Sequence, residues 1–234
     1  LNSMINIMIA TIKSWNIDYA EKFKEHYKDD YNVNIITNNQ KLTYEKVNNF
    51  NPEYIFFPHW SWIIPKEIYE NYWCIVFHMT DLPFGRGGSP LQNLIVRGIE
   101  DTKISALRVD GGIDTGDIYL KKDLNLNGAA EEIFIRAAKI IFNEMIPKII
   151  NENITPQPQQ GEIVEFTRRK PHQSELEADF DLKKIYDYIR MLDAEGYPEA
   201  FIKFGDYKLK FSRASFKHNK IVADVEIIEG EEDE

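Results

Sequence analysis

The sequence is poor in cysteine, which limits both its chemistry and its cellular setting. Cys74 is its single cysteine, so no internal disulfide can form. The thiol lies in an apolar run, residues 74–77, where cysteine behaves as a small apolar side chain. This usage predicts a reducing, cytoplasmic environment.

The sequence also lacks an excess of positive charge. It has 28 Lys and Arg against 38 Asp and Glu, a net charge of -10. Such a chain should repel a polyphosphate backbone, so nucleic acid is not expected as a partner. The acidic residues at 229–234 are expected to form a solvated, frayed terminus.

Long apolar runs are absent as well. Lys13 and Asn16 interrupt the first apolar run after a few residues, so we predict no signal peptide, membrane span or membrane partner. Residues 1–3, ahead of Met4, are interpreted as a cloning remnant. The spacing of His, Cys and carboxylate residues fits no metal site, so no bound metal is expected.

Apolar residues make up 43% of the chain, with 14 Phe and 12 Tyr, which is enough for one buried core and an appendage. Short apolar runs alternate with segments of helical periodicity. This alternation predicts an α/β fold with a mainly parallel, twisted sheet and helices on both faces. The predicted strands are residues 5–10, 33–37, 54–57, 74–77, 104–109 and 118–120, and the predicted helices are residues 19–27, 44–49, 65–70 and 130–150.

A polar segment with two prolines, residues 151–161, indicates a boundary. We predict a catalytic domain over 4–155 and a small C-terminal α+β domain over 162–234. The latter should contain one helix and two strands joined by a Gly-Asp turn. The predicted helix carries its apolar residues on one face, at Leu182, Ile185, Ile189 and Leu192.

Two glycine-rich loops carry the residues best suited to chemistry. His78 follows a predicted strand, at the edge where sheets of this class bind ligands. Asp114 lies in the second loop, residues 110–117, and an Asp beside a His can orient the imidazole for acid/base chemistry. Two simpler alternatives stay open: the first loop is an ordinary surface turn, and the carboxylates only bind local backbone amides.

The pattern His-x-x-x-Leu-Pro-x-x-Arg-Gly begins at His78, and Asp-x-Gly follows 36 residues after the histidine. Over roughly residues 50–150 this pattern resembles the folate-dependent formyltransferase superfamily. Its members include methionyl-tRNA formyltransferases, glycinamide ribonucleotide formyltransferases and nucleotide-sugar N-formyltransferases of surface-polysaccharide pathways. The C-terminal region looks most similar to that of the sugar-acting members. The resemblance implies a Rossmann-like core.

The resemblance also implies roles for individual residues. His78 would be the catalytic imidazole and Asp114 the carboxylate that assists it. N10-formyltetrahydrofolate would be a co-substrate, with no metal. The residues implied for folate binding are Trp62, Ile63, Ile64, Gly88, Asp110, Gly111, Gly112 and Ile113. The residues implied for substrate binding are Arg86, Gln92 and Thr80.

One position departs from the family. Val76 stands where the superfamily has an asparagine that polarises the formyl oxygen, and valine offers no hydrogen bond. Losing one such donor costs about a hundredfold to a thousandfold in turnover, so reduced activity is expected unless Thr80 or Gln92 substitutes. His59, near the implied folate loop, is expected to pack or stack and not to catalyse.

The resulting hypothesis is transfer of a formyl group to the amine of a nucleotide-linked amino sugar, a small-molecule substrate, by a monomer or homodimer. Methionyl-tRNA is an alternative, because residues 168–170 form a local basic patch. Glycinamide ribonucleotide is another alternative. Two further alternatives are a non-catalytic module that binds folate or a nucleotide sugar, and an acyltransferase with a different donor.

Overall fold

The computed structural model describes residues 4–230. The chain divides into two compact units. The first comprises the chain up to Gly87 with Thr102–Leu124 and Ile135–Glu165; the second comprises Gly88–Asp101, Asn125–Phe134 and the chain from Phe166 onwards. The proposed cloning remnant and most of the acidic terminus lie outside the described residues. The predicted domain boundary stays a prediction.

Strands and helices alternate along the first half of the chain, as predicted. The strands are β1 Ile5–Ala10, β2 Tyr31–Ile36, β3 Tyr54–Phe57, β4 Trp73–His78, β5 Phe84–Gly87, β6 Asp101–Arg108, β7 Ile118–Asn125, β8 Val164–Phe166, β9 Ala200–Phe204, β10 Tyr207–Lys217 and β11 Lys220–Glu229. The helices are α1 Ser14–His26, α2 Tyr44–Phe50, α3 Lys66–Tyr69, α4 Pro90–Val96, α5 Ala130–Ile140, α6 Ile146–Glu152 and α7 Leu182–Arg190.

The main sheet has six strands in the order β2-β1-β3-β4-β6-β7. The pairs β1–β2, β1–β3 and β3–β4 are parallel, whereas β4 and β6 are antiparallel. The prediction of an α/β fold with a mainly parallel sheet is therefore confirmed. The antiparallel pairing places Ser105 opposite His78, and Arg108 opposite Ile75.

Helices cover both faces of this sheet. On one face, Ile55 and Cys74 pack in a buried cluster with Val47 of α2 and Ile68 of α3. On the other face, α1 packs through Phe23, whose ring stacks on that of Tyr31 of β2 with 6.4 Å between centroids. Successive strand residues point to opposite faces, which is why both faces of these strands are apolar.

The long helix predicted over 130–150 is present but interrupted. A π-helical turn, Ile141–Met145, separates α5 from α6. Such turns insert one extra residue into the helical repeat and shift the apolar stripe that follows. The shift keeps Met145, Ile146 and Ile149 fully or almost fully buried. No helix within residues 4–230 is both long enough and apolar enough to cross a bilayer.

The C-terminal part of the second unit is a small α+β structure, as predicted. Its antiparallel sheet has the order β11-β10-β9, and a bulge lies between Ser212 and Ser215. The predicted Gly-Asp turn joins β9 to β10, but β11 was not predicted. A buried ion pair between Arg190 Nε and Asp187, 2.7 Å long, holds one end of α7. Arg190 also donates to the carbonyl of Leu126.

Candidate active site

The imidazole of His78 lies at the carboxyl end of β4 between two oxygen atoms. Nε2 is 2.7 Å from the carbonyl oxygen of Gly85, and Nδ1 is 3.5 Å from Oδ2 of Asp114. The two side chains are only 10% and 18% exposed. A neutral ring donates at one nitrogen, whereas the protonated ring donates at both. Both neighbouring oxygens are acceptors, so the neutral ring can donate to only one of them, and the protonated ring can donate to both.

Asp114 approaches this histidine from the loop between β6 and β7, and its own backbone is left-handed, with φ of 54°. Its Oδ2 also accepts a hydrogen bond of 2.9 Å from the backbone N–H of Gly87. Strand β6 neighbours β4 in the sheet but runs antiparallel to it, so the loop after β6 must fold back to reach His78.

The β6–β7 loop is tightly built. An added Cβ at Gly116 would lie 1.7 Å from the carbonyl oxygen of Arg108, so only glycine fits. The carboxylate of Asp110, predicted to contact folate, accepts from the backbone of Gly112 and the hydroxyl of Thr115 at 2.9 and 2.6 Å. Asp110 therefore stabilises the turn, and its role in folate binding stays a prediction.

A cavity of about 380 Å³ adjoins this loop. It is lined by Tyr69, Glu70, Arg108, Val109, Asp110, Gly111, Gly116 and Asp117. The residues predicted to bind folate thus include two, Asp110 and Gly111, that border an open space. Ile113, in the same loop, is 76% exposed.

The second segment predicted to contact folate, residues 62–64, has an exposed apolar surface. Ile63 is 95% exposed and Trp62 is 42% exposed, while Ile64 anchors the segment in the buried cluster under α2 and α3. Val109, which precedes the β6–β7 loop, packs on the same cluster. Both segments therefore start from one rigid core.

Val76 lies on β4, two residues before His78 and on the same face of the strand. It is half-buried and packs against the cluster that contains Phe57 and Cys74. This packing accounts for an apolar side chain at position 76. The reduced activity expected from a valine at this position stays a prediction.

Three residues predicted to contact substrate have protein partners. Thr80 is fully buried and donates to the carbonyl of Gly85 at 3.3 Å. Arg86 donates through Nε and Nη2 to Oε1 of Gln159, at 3.1 and 2.8 Å. Gln92 belongs to the second unit, where its amide donates to the carbonyl of Met191 at 2.9 Å. Their predicted roles are not tested by these contacts.

Gly88 also belongs to the second unit, where packing explains its lack of a side chain. An added Cβ would lie 2.6 Å from Cβ of Arg168. Its carbonyl accepts a hydrogen bond from the side-chain amide of Asn93 at 3.0 Å. Folate binding at this position stays a prediction.

Gln159 is the residue of this region that sequence reasoning missed. Its amide nitrogen donates to the carbonyl oxygens of Asp114 and Gly116, both at 2.8 Å. It lies in the polar, proline-containing segment that was interpreted only as a connection. A glutamine in such a segment carries no chemical pattern of its own, so only the structure connects it to Asp114.

Burial shifts the pKa of two further groups in the first unit. His59 packs edge to face on Trp15, with 6.2 Å between ring centroids. Burial, and then the positive charge of Lys13, lower the pKa of His59 to about 4. Cys74 is buried in β4, and its burial raises the pKa of the thiol to about 12. Neither group has the properties of a proton donor or nucleophile near neutral pH.

No group of three or more His, Cys, Asp or Glu residues in the described part of the chain is arranged to hold a metal ion. The arrangement that the structure does show is a buried His–Asp pair beside two loops with exposed apolar side chains. Such a site suits proton transfer next to a flat, partly apolar ligand.

Two family models match the chain. The model for "Formyl transferase" matches residues 20–132, and the model for "Methionyl-tRNA formyltransferase, C-terminal domain" matches residues 171–228. The chain belongs to the formyltransferase family, which confirms the resemblance predicted from the His78 and Asp114 motifs.

Individual proteins that are similar to this chain include methionyl-tRNA formyltransferases. A solved structure of methionyl-tRNA formyltransferase from Clostridium thermocellum is 69% identical, with a TM-score of 0.96, over 97% of this chain and 100% of that chain. A methionyl-tRNA formyltransferase from Thermodesulfovibrio yellowstonii is 31% identical over 62% of this chain and 50% of its own length. The chain spans only about half to two thirds of the curated relatives it matches first.

Another solved structure, HypX from Aquifex aeolicus in complex with tetrahydrofolic acid, has a TM-score of 0.73. It is 17% identical over 91% of this chain and 38% of that chain, so it shows the shared fold.

These relatives overturn two predictions. The nucleotide-linked amino sugar is wrong as the predicted substrate, and the predicted absence of a nucleic-acid partner is also wrong, because the relatives from Clostridium thermocellum and Thermodesulfovibrio yellowstonii are methionyl-tRNA formyltransferases. The charge argument failed because net charge is a sum over the whole chain, whereas phosphate contacts depend on local basic side chains.

Proposed function

We propose that this chain transfers a formyl group from N10-formyltetrahydrofolate to the amino group of methionyl-tRNA. The observation that carries the proposal is the 69% identity to a methionyl-tRNA formyltransferase across the full length of that structure. The buried His78–Asp114 pair supplies the acid/base group that such a transfer requires. The cytoplasmic location expected from the single cysteine stays a prediction.

The residues of the two loops fit a folate. A pterin is a flat ring that needs apolar surface on its faces and hydrogen-bonding groups at its edge. Trp62, Ile63 and Ile113 provide exposed apolar surface, and the backbone of Asp110 and Gly111 provides peptide groups next to an open cavity. When bound there, N10-formyltetrahydrofolate supplies an activated formyl carbon.

His78 is proposed to take the proton that the amine loses as it attacks the formyl carbon, and to return a proton to the departing nitrogen. Asp114 keeps Nδ1 oriented and offsets the positive charge of the ring while it carries both protons. Because Val76 has no hydrogen-bonding group, the formyl oxygen must find its donors in His78, in backbone N–H groups or in water.

Recognition of tRNA is assigned to local basic side chains, since the net charge is negative. Arg168 and Lys170 are exposed in the second unit. Arg169, between them, is half-buried and donates to the carbonyl of Gln173 at 2.8 Å. Phosphate contacts of this kind set affinity and position without reading sequence.

The proposal is tested by incubating the protein with N10-formyltetrahydrofolate and methionyl-tRNA and detecting formylmethionine by mass spectrometry after deacylation. Uncharged tRNA and the His78→Ala variant serve as controls. Formylmethionine should appear only with the wild-type protein and charged tRNA. Binding of folate without consumption of its formyl group would contradict the proposal and indicate a non-catalytic binding module.

A further inference from the structure

One side-chain amide, that of Gln159, connects Arg86 to Asp114 and Gly116 of the β6–β7 loop. Its amide nitrogen, Nε2, donates to the carbonyl oxygens of Asp114 and Gly116 at 2.8 Å each. Its Oε1 accepts both Nε and Nη2 of Arg86. All hydrogen-bonding capacity of this half-buried amide is thus directed at the β6–β7 loop and at Arg86.

One of the two carbonyl oxygens belongs to Asp114, the residue whose backbone conformation is unfavourable. Asp114 has a φ of 54°, and a residue other than glycine in this region costs of order 1 kcal/mol or more unless its surroundings hold it. Its carboxylate must also stay close to Gly87 N–H and to His78 Nδ1. The hydrogen bonds from Gln159 hold the carbonyl of Asp114 itself and that of Gly116, two residues further on, so they restrain the backbone directly after the unfavourable φ.

Arg86 determines which way the amide faces. A guanidinium donates and cannot accept, so it selects the oxygen end of the glutamine. The NH₂ end is then directed at the two loop carbonyls. A glutamate at this position would keep the partner for Arg86, but it would present an acceptor to two further acceptors.

We propose that Gln159, oriented by Arg86, is a positioning residue that holds the Asp114 carboxylate against His78. The inference rests on the proposed function, because the His78–Asp114 pair is assigned there to proton transfer. Gln159 itself contacts neither His78 nor the Asp114 carboxylate through its amide hydrogen bonds, so its effect is on placement and not on chemistry.

Two substitutions separate the effect of losing the hydrogen-bond donor from the effect of changing the size of the side chain. Gln159→Glu keeps the length and the contact to Arg86 but loses the donor at neutral pH, and Gln159→Met keeps the length but loses donor and acceptor. Gln160→Glu and Gln160→Met are the matched controls, since Gln160 is the exposed neighbour. Circular dichroism and thermal unfolding establish that each variant is folded.

The first measurement does not depend on enzymatic activity. Hydrogen exchange of the Gly87 amide, which donates to Asp114 Oδ2, reports whether the carboxylate stays in place. Both Gln159 variants should exchange this proton at least about tenfold faster than the wild type and the Gln160 variants. Unchanged exchange at Gly87 in a folded Gln159 variant would overturn the inference.

The second measurement determines kcat and KM separately in the formyl-transfer assay. Misplacement of a catalytic group should lower kcat by about tenfold to a hundredfold with little change in KM for the formyl donor. Equal kcat in the Gln159 and Gln160 variants would overturn the positioning role. If the wild type transfers no formyl group, the proposed function fails, and the Gly87 exchange still decides whether Gln159 holds Asp114.

Should both Gln159 variants fail to fold, Arg86→Lys replaces them. Lysine retains the charge but cannot form the forked contact to Oε1. The Gly87 amide should again exchange faster than in the wild type, although the increase should be smaller than for the Gln159 variants. Exchange equal to that of the wild type would overturn the role given to Arg86 and Gln159.

Discussion

At the scale of single residues, the proposed mechanism depends on His78 and Asp114. We expect His78→Ala and Asp114→Asn to lower turnover by about a hundredfold to ten-thousandfold, the usual contribution of acid/base catalysis. The fold should survive, because His78 is the last residue of its strand and Asp114 lies in a loop. Formylation rate and thermal unfolding are the measurements. His218→Ala and Asp123→Asn are controls at exposed positions. A rate close to wild type in either test variant would remove the pair from the mechanism.

Val76 offers a gain of function. Val76→Asn introduces an amide of similar size on the His78 face of β4. If that amide reaches the formyl oxygen, turnover should rise by up to about a hundredfold, with folate binding unchanged. Steady-state rates and folate titration on a folded variant give the answer. An equal or lower rate would show that another group already stabilises the oxygen, and Thr80 and Gln92 would be the next residues to replace.

The lowered pKa of His59 makes the stability of the fold depend on pH. Its pKa falls from 6.5 to about 4 on folding, because burial disfavours the charged ring. The unfolded chain therefore binds the proton first, so stability is complete above pH 6.5 and is lost as the pH falls towards 4. At about 1.4 kcal/mol for each pKa unit, the loss is at most about 3.5 kcal/mol. Urea unfolding at several pH values should show this loss, and His59→Asn should flatten it.

At the scale of elements, the β6–β7 loop depends on one glycine. Gly116→Ala would place Cβ against the carbonyl of Arg108 and should reduce the free energy of unfolding by about 1 to 3 kcal/mol. Gly111→Ala is the matched control, since its nearest neighbour outside the adjoining residues is the Tyr69 hydroxyl at 3.9 Å. Urea unfolding compares them. Equal stability of the two variants would mean that the loop is not constrained as described.

Most of the elements could be predicted from periodicity, and the failures have local causes. The bounds of β1 and β3 were predicted correctly because both strands are mostly apolar, with Asn6 the one polar residue in β1. Helix α1 begins at Ser14, five residues before its predicted start, where tertiary burial of Trp15 and Asn16 outweighs a weak pattern. Strand β11 was missed because its exposed, charged residues dilute its alternation. Backbone pairing and tertiary contacts decide such segments.

The candidate site was predicted only in part for a similar reason. The motif identified His78 and Asp114, and the structure places them 3.5 Å apart. The sequence did not show that the strand before Asp114 is antiparallel, because direction is a property of the sheet and not of one segment. It also gave Gln159 no role, since the contacts that join it to Asp114 span 45 residues of chain.

At the scale of the whole molecule, the proposed binding of tRNA must overcome a net charge of -10. We expect tRNA affinity to fall steeply with salt concentration. Arg168→Gln should weaken binding and reduce the slope of log K against log salt by about 0.7 to 0.9, the value for one phosphate contact. Lys24→Gln, at an exposed position of α1, is the control. An unaltered slope for Arg168→Gln would place the tRNA contact elsewhere.

The buried thiol of Cys74 has a practical consequence for following the molecule's motions. The side chain is 1% exposed and its pKa is about 12, so thiol reagents cannot modify it while β4 stays in the sheet. The rate at which a thiol reagent labels Cys74 therefore measures how often the strand that carries His78 opens. If the labelling rate tracks the free energy of unfolding, this strand opens only with the whole unit. A labelling rate that is faster than this and that denaturant barely changes would reveal a local opening at the candidate active site.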